Sequence, residues 1–449
     1  MGMRRTTGLL GFGAIALLLL LPAQERARPL SLHGPQRQEK GTVLAFLQRW
    51  DGTRLVRVDD RSLAQVGRAS SPLGLVDTWA FSRAAPALLA VAGRPYENDE
   101  TSVLRFVNAD SRRVVKRTVR LDGLARALLW ARPDRVVAIV GRCCTQASYV
   151  VVVDPGARRV VATREIPGEV SVVARGARSL VVLATPRGKI GASTLDVIDD
   201  EGSVRSVALD RVVAGTVWAT GEETDPISTT RVPGLAVDSG GTHAFVVQPD
   251  GPAVEIDLRT LAAAHHDLVG PKSLLGRLSA WLTPAAQAKG GNGPRRSATW
   301  LGDGLIAVTG TDEHAERDSN GGIRMSMEPA GLAILDTRDW TVSALDPGAD
   351  SVTTADGFLL ATGSRWSSEQ QEPTGMGVAA YGADRALRFR LFGGRSVWVE
   401  AALGGRAYVS VNSADGARAV NVVDLETGQV VAERTSDVPM PILGDAAVG

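Results

Sequence analysis

The chain is poor in most of the features from which a function is usually read. Its 449 residues include two Cys, five His and four Tyr, and aromatic residues make up 5%. Lys occurs only as Lys40, Lys116, Lys189, Lys272 and Lys289, and the 50 basic side chains are balanced by 49 acidic ones. That balance gives no electrostatic case for nucleic acid or another acidic partner. The Arg residues read as dispersed, often beside turns. No Gly-x-Ser-x-Gly, His-Glu-x-x-His or phosphate-binding glycine loop is present, so nothing identifies a nucleophile. Composition by itself names no activity.

What is abundant is Gly, at 49 residues, a surplus that suits a fold with many tight turns. The N-terminus has Arg4 and Arg5, then an apolar stretch from Gly8 to Leu21, then Pro22 and Ala23. That is the order of a secretory signal, with cleavage expected after Ala23. No Cys follows the stretch, so a lipoprotein anchor is not indicated. The competing reading is an uncleaved membrane anchor, for which the uncharged run is only just long enough. The expectation is a signal peptide over 1–23, a linker over 24–41, and a secreted or cell-envelope domain over 42–449.

A repeat organises that domain. An apolar strand runs into a four-residue polar turn, often at an Asp, and a second strand leaves it. Asp59, Asn108, Asp154, Asp199, Asp257, Asp336, Gly382 and Asp424 mark the turns. Before each hairpin after the first sits another apolar strand, such as "RVVAIVG" from Arg135, and before that a shorter one, often with Trp. Each unit is therefore four short strands in meander order, the unit of a β-propeller blade. The fold expected is an all-β, single β-propeller of four-stranded blades, with eight favoured over seven. The first unit lacks its innermost strand, and residues near Pro439 to Leu443 are expected to supply it and close the ring. Trp79, Trp130, Trp300 and Trp398 share one position in the blade and are expected to pack between blades. A stretch at about 270–292 carries Leu274, Leu275, Leu278, Trp281 and Leu282 at helical spacing and reads as a short helical insertion.

The last unit, "AYVSVN" followed by "AVNVVDLETGQVVAERT", resembles the YVTN-type repeat. Tyr408, Val409, Val422, Val423, Asp424, Thr427, Val430 and Val431 fit the pattern, and Asn412 lies one residue late. The resemblance implies a WD-repeat-like or quinoprotein-like propeller and little about activity. The stretch also resembles the docking motif of quinone-dependent alcohol dehydrogenases, but Gln429 replaces its Lys and Ala432 its Trp.

Loops joining strands one to two and three to four are uniformly short, whereas those joining two to three, and blade to blade, hold nearly all the length variation. The long-loop face is therefore the candidate binding face. Its candidate residues are Glu97, Asp99, Asp312, His314, Asp318, Asn320 and Trp366. Cys143 and Cys144 lie on the same face, and in an oxidising compartment the adjacent thiols form a candidate vicinal disulfide. The acidic loop around Asp312 to Asn320 offers oxygen ligands for Ca²⁺, and His265-His266-Asp267 offers ligands for a metal; the reading is no metal and no cofactor, with Ca²⁺ or a quinone as the alternatives. The function expected is a noncatalytic scaffold that binds a protein or small ligand on the long-loop face. Its membrane contact is confined to an uncleaved N-terminal segment. The alternative is a propeller enzyme, a lactonase-like hydrolase or quinone-dependent dehydrogenase.

Overall fold

The computed structural model describes residues 30, 41–83, 85, 87–96, 99–142, 147–219, 227–248, 251–270, 292–317, 323–369, 373–412, 418–435 and 439–441. The leader, the Cys143-Cys144 pair and the stretch at 271–291 read as helical lie outside them. The described residues are β-strands and turns throughout.

The strands of the third blade show why such a sequence folds this way. Arg135–Gly141 pairs antiparallel with Leu124–Arg132 on one side and Ser148–Asp154 on the other, and Arg159–Ile166 completes the meander. Along Arg135–Gly141, Val136, Ala138 and Val140 pack toward the second blade while Val137 and Ile139 pack toward the fourth. Both faces of this strand are covered, so alternation disappears and the sequence reads as a continuous apolar run. The outermost strand has one neighbour and is exposed along most of its length.

The same arrangement recurs around the molecule. The second blade starts at Leu75–Phe81, the fourth at Glu169–Arg175, the fifth at Gly234–Val237 and the sixth at Asn292–Gly302. Ser351–Ala355 opens the seventh and Val397–Leu403 the eighth. Each apolar cluster draws on two consecutive blades, so the core is a ring of inter-blade layers. Ala401, Leu403, Tyr408 and Val422 of the eighth blade pack with Val43, Ala45, Val56 and Val58 of the first. Pro439–Pro441 pairs antiparallel with Thr42–Arg49, supplying the first blade's missing inner strand and closing the ring. The expected closure is therefore present, and it removes two open edges.

Three of the four recurrent Trp pack as expected. Trp79 meets Phe46 edge to face with centroids 5.2 Å apart, Trp130 meets Phe106 at 5.5 Å, and Trp300 stacks on Phe245 at 5.4 Å. Each pair joins consecutive blades. Trp398 is the exception, at 46% exposed. Leu30, in the stretch read as linker, is buried against the sixth and seventh blades and donates its N–H to Ala383 O at 2.6 Å.

The Asp-marked turns have one local mechanism. Asp424 Oδ1 accepts the N–H and hydroxyl of Thr427, each at 2.9 Å, while its carbonyl accepts the N–H of Gly428 at 2.9 Å. Asp59, Asp154 and Asp257 accept the corresponding two backbone N–H groups in their own turns. The residue that closes the turn is left-handed: Gly428 at φ 68°, and in other blades Leu63 at 55°, Arg158 at 55° and Leu261 at 62°. All of these turns stand on the short-loop side, opposite the candidate face.

Candidate binding face

On the long-loop side strands of the fourth, sixth and seventh blades do not stop where their sheets end. Val204–Ala219 continues beyond its blade and pairs with Ile227–Arg231, from Gly215↔Arg231 to Ala219↔Ile227. Leu305–Arg317 likewise overshoots and pairs with Ile323–Pro329 on one side and with the start of Asn292–Gly302 on the other. Two links join these extensions. Val232 bridges Arg295 in parallel, its N–H donating to Pro294 O at 3.0 Å and its O accepting Arg296 N–H at 2.8 Å. Ile323–Pro329 then pairs with the seventh blade through Ser326↔Ser367 and Met327↔Trp366. A band of β-structure thus runs above the fourth to seventh blades.

Two glycines let the strands leave their sheets. At Gly310, φ 155°, a Cβ would stand 1.9 Å from Arg295 O, and at Gly215, φ 126°, one would stand 2.4 Å from Lys189 O. Only a residue without a side chain permits such backbone approach.

The stretches 311–317, 323–329 and 227–231 read from sequence as loops, and their pairing as strands is a correction. The physical reason is that this band is held by its main chain. Residues such as Thr311, Asp312, Glu313 and His314 give no apolar alternation, so nothing in the run marks a strand.

Charge is tied up along the band. Arg296, whose side chain is 2% exposed, pairs with Asp312 at 2.7 Å and also donates to Thr311 O at 3.2 Å. Its Nε has no hydrogen-bond partner among the described residues, and a cavity of about 40 Å³ lies against it, between Thr309, Gly331 and Asp346. That is room for a water, with polar groups to hold it. Asp346 in turn accepts Tyr381 Oη–H at 2.5 Å and Arg390 at 2.8 Å. On the outer surface Arg295 pairs with Glu313 at 2.8 Å and Arg324 with Glu369 at 2.8 Å.

The structure sorts the residues singled out from sequence. Asp312, His314 and Trp366 all lie on the band. Asp312 holds Arg296, His314 is exposed, and Trp366 sits half-buried where the sixth and seventh blades join. Asp99 belongs to the second blade and accepts Tyr96 N–H at 3.0 Å, closing its own turn. Glu97, Asp318 and Asn320 lie outside the described residues, as do Cys143 and Cys144. His266 stacks on Trp340 with centroids 3.7 Å apart, and its Nε2 lies 3.2 Å from Glu255 Oε2. Among the described residues no three His, Cys, Asp or Glu side chains converge.

The inner-strand carboxylates are also engaged. Asp77 accepts Arg94 Nε–H at 3.0 Å and the Ser102 hydroxyl at 2.9 Å, and Glu400 pairs with Arg418. Burial pushes the Asp238 carboxyl up, but hydrogen bonds from Thr242 and His243 outweigh it and hold the group below the usual carboxylate range. A lowered Asp238 does not suit a general acid, which needs a raised pKa.

Two aromatic residues on this face were missed from sequence. Trp50 is 97% exposed and Tyr96 76%. Trp50 occupies the two-residue turn between Arg49 and Gly52, which pair with each other, so its side chain is carried clear of both strands. The two tips adjoin: a Cβ on Gly74 would meet Arg94 O at 2.2 Å and Pro95 Cα at 3.4 Å, and one on Gly52 would meet Gly74 N at 3.3 Å. The signal available was an aromatic residue inside a turn, where no blade position needs one. Beyond them, between the third and fourth blades, an open cleft of about 440 Å³ is lined by Glu165, Gly168, Thr185, Pro186 and Arg187, with Glu165 and Arg187 ion-paired across it.

No family model matches the chain, and no curated protein matches it. Among solved structures it is similar to a dihydro-heme d1 dehydrogenase, NirN, in complex with DHE. The identity is 14% over 94% of this chain and 79% of that one, with a TM-score of 0.49. It is similar to a computationally designed protein, Ika8, at 11% identity over 87% of this chain and 98% of that one, TM-score 0.47. BamB from Moraxella catarrhalis is 13% identical over 88% of this chain and 99% of that one, TM-score 0.41.

Proposed function

We propose that this β-propeller is a noncatalytic, extracytoplasmic binding scaffold whose long-loop face docks another protein. The observation that carries the reading is Trp50, almost fully exposed at a hairpin tip beside the tip that bears Tyr96. Keeping such rings in water forgoes about 25 cal/mol for every Å² left unburied. Exposed Trp and Tyr on rigid hairpins are the residues that dominate protein interfaces, because a large area is buried at small entropic cost. The closed ring holds the tips in place, and the band over the fourth to seventh blades stands as a second contact surface on the same side.

The extracytoplasmic assignment rests on the Arg4, Arg5 and Gly8 to Leu21 pattern. The noncatalytic assignment is supported by the engagement of Asp77, Asp238 and Glu400.

The test is crosslinking in the native envelope with a photoreactive residue at exposed position 48, beside the Trp50 tip. A specific crosslinked protein that disappears in Trp50→Ala, Tyr96→Ala supports the scaffold. A quinone absorption band, stoichiometric Ca²⁺ in the purified protein, or turnover of a lactone would sink it in favour of a propeller enzyme.

A further inference from the structure

The Arg residues do not stay dispersed once the chain is folded. The sequence Arg-Arg-Val-Val occurs at 112–115 and again at 158–161, at the outer edges of the second and third blades. Exposed Arg113, Lys116, Arg117, Arg120 and Arg159 pair with no acidic side chain among the described residues. The nearby carboxylates are already engaged. Glu165 is paired with Arg187, and Asp154 accepts the N–H groups of Gly156 and Ala157 at 2.9 and 2.8 Å. In a chain of net charge +1, this rim is a local excess of cation.

The two edges adjoin. Val115 packs against the apolar layer between the second and third blades, which includes Val151 and Val153, and those two residues sit opposite Thr163 and Val160 of the third blade's outer strand. Val115 thus turns the basic segment of the second blade toward the third blade, whose outer strand is Arg159–Ile166. That strand has eight residues, longer than the outer strand of every other blade but the fourth. In the described residues its free edge has no partner strand, and both Val160 and Val161 are 40% exposed.

This fold already accepts an added segment at such an edge. At the sixth blade, Val269 lies parallel to the outer strand Thr341–Asp346, its N–H donating to Trp340 O at 2.9 Å and its O accepting Val342 N–H at 2.7 Å. From these observations we propose that the free edge of Arg159–Ile166 is a docking site for an acidic, extended segment of a partner protein, which adds as a strand while its carboxylates meet the flanking cations. Unpaired main-chain groups give a directional attraction that only another strand satisfies. The cations select against basic and neutral strands. An anionic membrane fits less well, because no large apolar side chain on this rim is exposed to enter it beyond the two valines.

The test uses the full-length mature chain and a fluorescent synthetic peptide of alternating valine and glutamate. Controls are the same peptide N-methylated at alternate residues, a valine and lysine peptide, and phosphatidylglycerol vesicles. The acidic peptide is expected to bind, more weakly as salt is raised, and to slow amide exchange over Arg159–Ile166. N-methylation, or Arg113→Glu with Arg159→Glu in a variant whose thermal unfolding is unchanged, is expected to weaken binding about tenfold or more, equivalent to about 1.4 kcal/mol. Equal binding of the N-methylated peptide would overturn strand addition and leave a patch of charge. Vesicle binding without peptide binding would assign the rim to membrane, and no binding of any probe would make the cations guards against edge pairing. Trp50→Ala should leave this binding unchanged, which separates its failure from failure of the long-loop reading.

Discussion

Phe46 and Met440 face each other across the antiparallel pair that closes the ring, joining positions almost four hundred residues apart. The same seam holds Tyr408, whose hydroxyl donates to Asp60 O at 3.0 Å from the eighth blade to the first. Removing residues 439–449 opens the edge of Thr42–Arg49. The expected outcome is a loss on the order of 2 kcal/mol or more, with concentration-dependent aggregation, read by denaturant unfolding and light scattering. An unchanged midpoint would mean that the terminal strand does not hold the ring.

At Arg158, φ 55°, a side chain occupies a conformation that glycine adopts at lower cost, and Gly428 fills the equivalent place in the eighth blade. Arg158→Gly is expected to be neutral to stabilising, by up to about 1 kcal/mol. Gly428→Ala should cost about 1–2 kcal/mol, since its Cβ would also stand 2.8 Å from the Phe389 ring. Denaturant midpoints of the two variants should move in opposite directions.

Asp196 is fully buried, and one of its oxygens accepts the Ser206 hydroxyl at 2.5 Å while the other has no partner among the described residues. Burial pushes its carboxyl above the usual carboxylate range, and the Ser206 bond only partly offsets this. A raised folded pKa means that ionisation destabilises the fold. The penalty is complete above the folded value and is relieved as pH falls through it toward the unfolded value near 4. Asp196→Asn should therefore stabilise at neutral pH by about 1 kcal/mol, with the gain vanishing in acid. The turn carboxylates have the opposite sign. Backbone N–H groups of Thr260 and Thr427 hold Asp257 and Asp424 low, so their contribution is present at neutral pH and is lost as pH falls through the folded value.

Trp50 and Trp130 separate binding from stability. Trp130 is 3% exposed between the second and third blades, and Trp130→Ala should cost about 3–5 kcal/mol. Trp50→Ala should change thermal stability by no more than about 0.5 kcal/mol while abolishing the crosslinked partner. A large stability loss at Trp50 would contradict the exposed tip.

Buried Arg296 and partly exposed Asp312 form an ion pair at 2.7 Å. Asp312→Asn leaves a buried guanidinium without its counter-charge and is expected to cost about 3–5 kcal/mol, whereas Arg296→Met with Asp312→Leu should cost much less. Thermal unfolding of the two variants decides whether the pair acts as structure, as argued, or as part of a binding site that leaves stability unmoved.

Much of the fold was legible because its signals are local. Asp424 through Gly428 closes a turn with its own side chain and backbone, and the strand Arg135–Gly141 announces burial on both faces by its run of apolar residues. The candidate face was legible only by loop length. Trp50 and Tyr96 were passed over because an exposed aromatic has no periodic pattern around it. The paired strands 311–317 and 323–329 were read as loop because polar residues on both faces give no alternation.

The sequence by itself determined the meander and its turns, since hydrogen bonds and apolar alternation within a few residues specify them. Ring closure by Pro439–Pro441 and the inter-blade packing of three Trp were legible too, but which surfaces meet elsewhere was decided by the tertiary structure alone. Val115 joins the layer shared with the next blade, and polar strands pair into a band over the fourth to seventh blades. Those relations depend on how twisted sheets stack around a ring, and no short-range pattern records which surfaces that stacking brings together.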